Sequence, residues 1–282
     1  MPIENVSDTA RWVAVYRAME TERPDALFRD PWARALAGAK GEEIVRTLPQ
    51  ARRMAWSMIV RTAVFDEIIM ARVRDGADLV VNLAAGLDAR PWRLELPQAL
   101  RWVDVDLPGI LAQKAETLRD AAPSCRYEAV PADLSDPAAR AETLPRIGAG
   151  ASRGLVVSEG LLIYLEADSV AGLARDLHAV PGLRWWLTDL AHPELLRWMQ
   201  RSWGTAADRA NAPFRFAPAE GSAFFAPHGW REVEYRSNMD EARRLKREMP
   251  GMWLWRLLMR LRSGERQEQI RRFAGTVLLE RA

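Results

Sequence analysis

Asp106 lies 20 residues beyond Gly86, and both follow apolar runs: Leu79–Leu83 reads into Ala84-Ala85-Gly86, and Trp102–Val105 reads into Asp106. The first run, bounded by Asp78 and by small residues, predicts a strand buried on both faces, the central strand of a parallel sheet. The small-residue loop after it lets a ligand lie against the backbone. A carboxylate at the next strand tip, about 20 residues past a glycine loop, is placed to accept hydrogen bonds from ribose hydroxyls. The stretch from Asp78 to Asp106 therefore predicts a nucleoside site.

The phosphate half of a dinucleotide fingerprint is missing, because GxGxxG requires three glycines and this loop has only Gly86. That counts against a pyrophosphate and against a nicotinamide-dependent oxidoreductase. A nucleoside carried without phosphates, such as S-adenosylmethionine, needs the ribose carboxylate and a close backbone turn but no anion cradle.

The elements that must position these residues alternate along the chain. Further strands are predicted at Arg126–Val130, leading to Asp133-Leu134, at Leu155–Ser158, leading to Glu159 and Tyr164, and at Trp185–Leu187, with Asp189 and His192 just beyond. Helices separate them, which predicts an α/β, doubly wound parallel sheet with ligands outside the carboxyl ends of its strands. Every acidic residue named falls at such an end. Residues 1–76 predict a helical cap on the same domain. It comprises a helix capped by Ser7 or Asp8, a short helix from Asp30-Pro31 that Gly38 ends, and a helix from about Gln50 to Arg74 carrying Arg61 beside its apolar stripe.

Residues 77–282 form the expected core, interrupted at about 193–223 by an aromatic and basic insertion that reads as a lid and contains Arg201, Arg209 and Arg215. Two last strands, Trp230–Tyr235 and Gly275–Leu279, bracket a helical segment at Arg243–Arg262. Its Trp253, Trp255, Arg256 and Arg260 suit a membrane interface, but an amphipathic helix packed on the sheet is the commoner arrangement.

Composition narrows the function classes. With 282 residues, 49% hydrophobic and 28% charged, the chain reads as an ordered globular protein. The net charge of +2, from 40 basic and 38 acidic residues, gives no field for a nucleic-acid partner. Cys125 is the single cysteine, and the opening MPIENVSDTARW has no signal core, so a cytoplasmic protein is expected. No run approaches the roughly 20 apolar residues that span a bilayer. His178, His192 and His228 lack the paired spacing of metal ligands. Nothing in the sequence signals an oligomeric state.

The segment Val81-Asn82-Leu83-Ala84-Ala85-Gly86-Leu87-Asp88-Ala89-Arg90 closely resembles the signature of the leucine carboxyl methyltransferase-like family of S-adenosylmethionine-dependent methyltransferases. That family includes bacterial O-methyltransferases of polyketide and other natural-product pathways. The likeness continues through Val105-Asp106-Leu107-Pro108, Ala132-Asp133-Leu134 and Ser158-Glu159-Gly160-Leu161-Leu162-Ile163-Tyr164-Leu165, and the opening from Ser7 to Ala33 is similar to the family's N-terminal cap.

The resemblance implies a Rossmann-like class I methyltransferase fold, a seven-stranded, mostly parallel sheet in order 3-2-1-4-5-7-6 with the last strand antiparallel. It implies that Arg61 grips the methionine carboxylate and Glu159 its ammonium end, that Gly86 forms the turn, and that Asp106, next to Leu107, holds the ribose. Asp133 and Leu134 would flank adenine, with Arg17 a second cationic contact. Ala84 stands where the family usually has glycine, and a left-handed backbone there costs about 1 kcal/mol or more.

The function so implied is methyl transfer from S-adenosylmethionine to oxygen of a small molecule, with a carboxylate the first choice. The lid arginines would then hold the anion. The second choice is a hydroxyl or phenol, with His192 as general base and Tyr164 a further catalytic candidate. A non-catalytic S-adenosylmethionine-binding or peripheral membrane protein is the alternative of another class.

Overall fold

The computed structural model describes residues 6–47, 51–209, 213–249, 251–252 and 264–282, with side chains described outside 6–7, 51–53, 203–209 and 264–265. Seven strands, β1 (Leu79–Leu83), β2 (Arg101–Asp106), β3 (Arg126–Pro131), β4 (Gly154–Ser158), β5 (Leu183–Ala191), β6 (Trp230–Ser237) and β7 (Ala274–Arg281), form one sheet in the order β3-β2-β1-β4-β5-β7-β6. β7 runs antiparallel to both its neighbours, and the other pairings are parallel. This is the expected topology.

Alternate residues of each strand point to opposite faces, and both faces are covered. Val81, Val103, Val156 and Trp186 pack under α6 (Pro137–Gly148) and α7 (Ala167–His178). Val80, Trp102, Val157 and Leu187 pack under α3 (Ala51–Arg74), which contributes Val64, Phe65 and Ile68. Ahead of α3, helices α1 (Val6–Thr21) and α2 (Ala33–Thr47) build a third cluster over the β1 loop, with Tyr16, Leu36, Leu87 and Ile110.

Gly38, at φ 62° and ψ −177°, interrupts the second helix as expected, and a further helical stretch follows it to Thr47, so α2 is two helices joined at a kink. One expectation at element level is corrected. β5 runs on to Ala191, because β7 supplies antiparallel partners as far as Ala191 opposite Ala274, so Asp189 lies within the strand and His192 directly after it. The insertion after β5 contains α8 (Pro193–Arg209) and a 3₁₀ segment, Gly221–His228, whose Phe225 is fully buried. The expected helical segment begins early as α9 (Asn238–Arg244). Trp253, Trp255, Arg256 and Arg260 lie outside the described residues, and a short helix α10 (Gly264–Arg271) follows. No helix among the described residues is long and apolar enough to cross a membrane.

A buried polar knot locks β1, β2 and β3 together beneath the β1 loop. Asp104 is fully buried and accepts from Asn82 Nδ2 at 3.1 Å, Trp102 Nε1 at 2.8 Å and Tyr127 Oη at 2.9 Å, and it pairs with Lys114 of α5 (Pro108–Thr117). Lys114 Nζ also donates to the Asp88 carbonyl at 2.9 Å, so the same ammonium holds the loop above. Removing one partner of a buried ion pair strands the other charge and costs about 3–5 kcal/mol. Lys114→Met, which keeps most of the volume, is expected to lower unfolding stability in urea by that amount. A loss below about 1 kcal/mol would show that the neutral donors alone satisfy Asp104.

Candidate functional site

All the strand ends singled out from the sequence open into one cavity of ≈ 1340 Å³. Its walls include Ala84–Gly86, Asp106–Leu107, Ala132–Leu134, Glu159–Gly160, Tyr164, Asp189 and His192, with α1 and α3 closing one side through Thr9, Arg17 and Arg61. This exceeds the roughly 300–1,000 Å³ usual for a single ligand, so two can lie together.

Asp106 organises the β1 loop. Its Oδ2 accepts from the Gly86 N–H at 2.6 Å and its Oδ1 from the Leu107 N–H at 2.7 Å, which sets the carboxylate rigidly beside the turn. Burial raises its pKa, and these two N–H donors only partly offset that. Gly86 has φ 52°, and a Cβ there would sit 3.1 Å from Ala10 of α1, so the turn needs glycine both for conformation and for close approach. Ala84 has φ 50°, the left-handed backbone anticipated for this position. Leu107 is 44% exposed at the rim, whereas Leu134 is buried in the core under β3. Asp133 is exposed and accepts from the Ser135 N–H and hydroxyl, both to Oδ1 and both lowering its pKa.

Arg61 and Glu159 are paired with each other. Arg61 Nε donates to Glu159 Oε1 at 3.0 Å, and its Nη1 to Asp189 Oδ2 at 3.1 Å, while Asp189 Oδ1 accepts from the Gly160 N–H at 2.6 Å. A Cβ on Gly160, whose φ is 71°, would meet the Arg61 guanidinium at 3.3 Å. Glu159 is held from its other side by Arg90 Nη2 at 2.8 Å. Burial alone would raise the Glu159 pKa, but Arg90 and Arg61 outweigh it and hold the carboxyl below its ordinary value.

Arg90 on α4 (Arg90–Arg93) further binds Asp66 Oδ1 at 2.6 Å and Asp88 Oδ2 at 2.7 Å, and Arg93 closes on Asp66 at 2.7 Å. Arg90, Arg93, Asp66 and Asp88 were given no role from sequence. Asp66 carried a signal, because it stands four residues after Thr62 on the otherwise apolar face of α3, where a carboxylate requires a partner. Four carboxylates, Asp66, Asp88, Glu159 and Asp189, meet three guanidiniums, Arg61, Arg90 and Arg93, so this cluster carries one more negative than positive charge. Arg17 adds none, since it pairs with Asp30 at 2.8 Å. It also braces the loop by donating to the Leu87 carbonyl at 2.6 Å.

Around the mouth, Tyr164 stacks on Phe214 with ring centroids 5.7 Å apart. Burial raises its pKa more than Arg61 lowers it, so it remains a neutral donor. His192 stacks on Phe273, and its Nδ1 accepts from the Glu194 N–H at 3.2 Å. With Nδ1 accepting, the proton of a neutral imidazole sits on Nε2, which can then donate.

The lid arginines are corrected. α8 turns Leu195, Trp198 and Met199 inward, so Arg201 falls on its exposed outer face, and exposed Arg215 pairs with Glu166; neither lines the cavity. The Arg209 side chain lies outside the described residues.

Comparison with known proteins agrees in fold and sequence. The model of the leucine carboxyl methyltransferase family matches residues 10–178. A protein of Parafrankia sp. (strain EAN1pec), named as a candidate S-adenosyl-L-methionine-dependent methyltransferase, is 33% identical over 261 residues, covering 87% of this chain and 84% of that one. The crystal structure of a candidate methyltransferase from Thermobifida fusca superposes with a TM-score of 0.60 at 15% identity, covering 100% of this chain and 96% of that one. A DUF574 protein from Streptomyces avermitilis superposes with a TM-score of 0.59 at 16% identity, covering 97% of each chain.

Two outcomes test the site's local energetics. A left-handed alanine costs about 1–2 kcal/mol, part of which glycine forfeits as unfolded-state entropy. Ala84→Gly is therefore expected to stabilise the protein by about 0.5–1 kcal/mol, read as a rise in melting temperature. Because Glu159 has a depressed folded-state pKa, its contribution to stability is complete above its unfolded value near 4.3 and is lost as pH falls through the lower folded value. The acid limb of a stability–pH profile should therefore be shallower in Glu159→Gln than in the parent.

Proposed function

The chain belongs to the leucine carboxyl methyltransferase family and is an S-adenosylmethionine-dependent methyltransferase, and from that premise we propose that it methylates a carboxylate oxygen of a small-molecule acceptor. The observation that carries this reading is the hydrogen bond from the Glu194 N–H to His192 Nδ1, which leaves the proton of the neutral ring on Nε2. A carboxylate, with a pKa near 4, is already a nucleophile at neutral pH, whereas a hydroxyl must lose a proton during transfer. His192 Nε2–H offers a hydrogen bond to such an anion, and Tyr164 offers a second donor.

The residues fit the methyl donor. The carboxylates around Arg61 outnumber the guanidiniums, and Asp106 and Asp133 add to that excess, which favours a donor of net positive charge, while the Gly86 turn held by Asp106 admits a nucleoside at the backbone. Asp106 would accept from the ribose hydroxyls with its remaining lone pairs. Asp133 would meet the adenine amino group through Oδ2, with Leu134 and Leu107 against the ring. Arg61 would exchange part of its bonding with Glu159 and Asp189 for the methionine carboxylate, freeing carboxylate oxygens for the ammonium. The bound donor supplies an activated methyl on sulfonium: the acceptor oxygen forms a bond to that carbon as the carbon–sulfur bond breaks, its electron pair stays on sulfur, and no proton is released. The protein's contribution is positioning. The helices α1–α3 would cap the donor, and α8 with residues 213–216 would form the lid.

Asp106→Ala should weaken S-adenosylmethionine binding by about 1.5–3 kcal/mol per charge-assisted bond lost, measured by calorimetry on folded protein. In the parent, affinity should fall with decreasing pH at a point above the ordinary aspartate value of about 4, since burial raises the Asp106 pKa. The carboxylate reading expects an alkali-labile methyl ester, saturated turnover nearly flat from about pH 6 to 9, and less than about tenfold loss in His192→Ala. An alkali-stable ether, with turnover collapsing in His192→Ala, would overturn it.

A further inference from the structure

Among the described residues, six methionines line the cavity: Met54 and Met58 from α3, Met199 from α8, Met239 from α9, and Met249 and Met252 after it. They converge from separate segments. Met199 and Met239 belong to none of the three buried core clusters, so filling the core does not account for them. Three of the phenylalanines in the wall are turned to other rings, Phe214 to Tyr164, Phe273 to His192 and Phe216 to Phe224 and Phe225, while Trp56 of α3 and Trp198 of α8 line it beside the methionines. The methionines make the rest a soft wall. Methionine is unbranched and polarizable, with three rotatable bonds, and it moulds itself to flexible apolar ligands.

A cationic group stands on the same wall. The face of α10 that carries Arg266, Gln269 and Ile270 leads to Phe273 beneath His192, and all four line the cavity. Arg266 has no ion-pair partner among the described residues, whereas Arg17, Arg61 and Arg90 are each held by carboxylates. A chamber with methionine walls, a donor imidazole and an unspent guanidinium suits an anion with a flexible apolar tail.

We propose that the acceptor is an aliphatic carboxylic acid with an unbranched chain, which lies among these methionines with its carboxylate at His192 Nε2. This rests on the carboxylate reading and adds the nature of the rest of the molecule. Arg266 draws the anion in.

The test is a homologous series from butanoic to dodecanoic acid, with binding followed by calorimetry in the presence of S-adenosylhomocysteine and methyl esters measured separately. Each added CH₂ should tighten binding about three- to fourfold until the chamber is full. Met199→Asn and Met239→Asn should flatten that slope while leaving S-adenosylhomocysteine affinity unchanged, and Met199→Leu, which remains apolar and folds as the parent does, should retain it. Arg266→Gln should weaken every acid by a similar factor without changing the slope.

A flat series in the parent, or tighter binding of compact aromatic acids than of alkanoic acids of equal carbon number, overturns the aliphatic chain and leaves carboxylate methylation standing. Alkanols that bind with the same slope and yield ethers, while the acids yield no ester, support the chamber and overturn the carboxylate.

Discussion

Arg90 is the contact on which the site depends. The residue is only 2% exposed, and its guanidinium is shared among Asp66 of α3, Asp88 of the loop after β1 and Glu159 at the end of β4. A buried guanidinium is tolerable only when its charge and its donors are matched, and a planar fork with five N–H groups can meet three carboxylates from three directions. The result is a fixed distance between helix, loop and strand end. Arg61 inherits its position from this arrangement, because the Glu159 carboxylate that holds it is itself held by Arg90. Burial would lower the Arg61 pKa, but Asp189 and Glu159 raise it, so the pair stays ionised.

The loop after β1 is bound from every side by different chemistry. Asp106 fixes the Gly86 N–H, Arg17 the Leu87 carbonyl, and Lys114 the Asp88 carbonyl. The left-handed alanine at 84 is therefore an imposed conformation: surrounding bonds over-determine the loop, and each is worth about as much as the strain at that residue or more. Such a loop is preorganised, so little ordering is left to be done when a nucleoside arrives.

Much of this was legible in the sequence, and the illegible part has a common cause. The apolar runs of β1, β2 and β4 are closed by chemistry-bearing residues, so the strand tips and their convergence could be read from spacing alone. The far end of β5 could not, because Asp189, Leu190 and Ala191 carry no strand pattern of their own and are ordered by β7 across the sheet. The same limit applies to charge. Arg61 and Glu159 were each read as facing ligand, yet they are 98 residues apart in sequence and bonded in space. Arg201 and Arg215 were read inward from composition, while the periodicity of α8 and the carboxylate of Glu166 direct them outward.

The chamber's polarity and the proposed reaction favour each other. Transfer between a carboxylate and a sulfonium starts from opposite charges and ends with neutral products, so separated ions are the state that a low-dielectric wall disfavours most. Methionine walls beyond the charged rim therefore raise the ground state of an ionised acceptor relative to a transition state in which charge is already cancelling. The Arg61, Glu159 and Asp189 cluster does the opposite work a short distance away, holding permanent charges that do not change during transfer. The permanent charges sit on β4, β5 and α3, and four of the six methionines sit on α8, α9 and the residues that follow, with Met54 and Met58 on α3. On the proposed reading, substitutions at Met199 and Met239, which lie on other elements than those charges, alter which acceptor is taken without disturbing the donor's site.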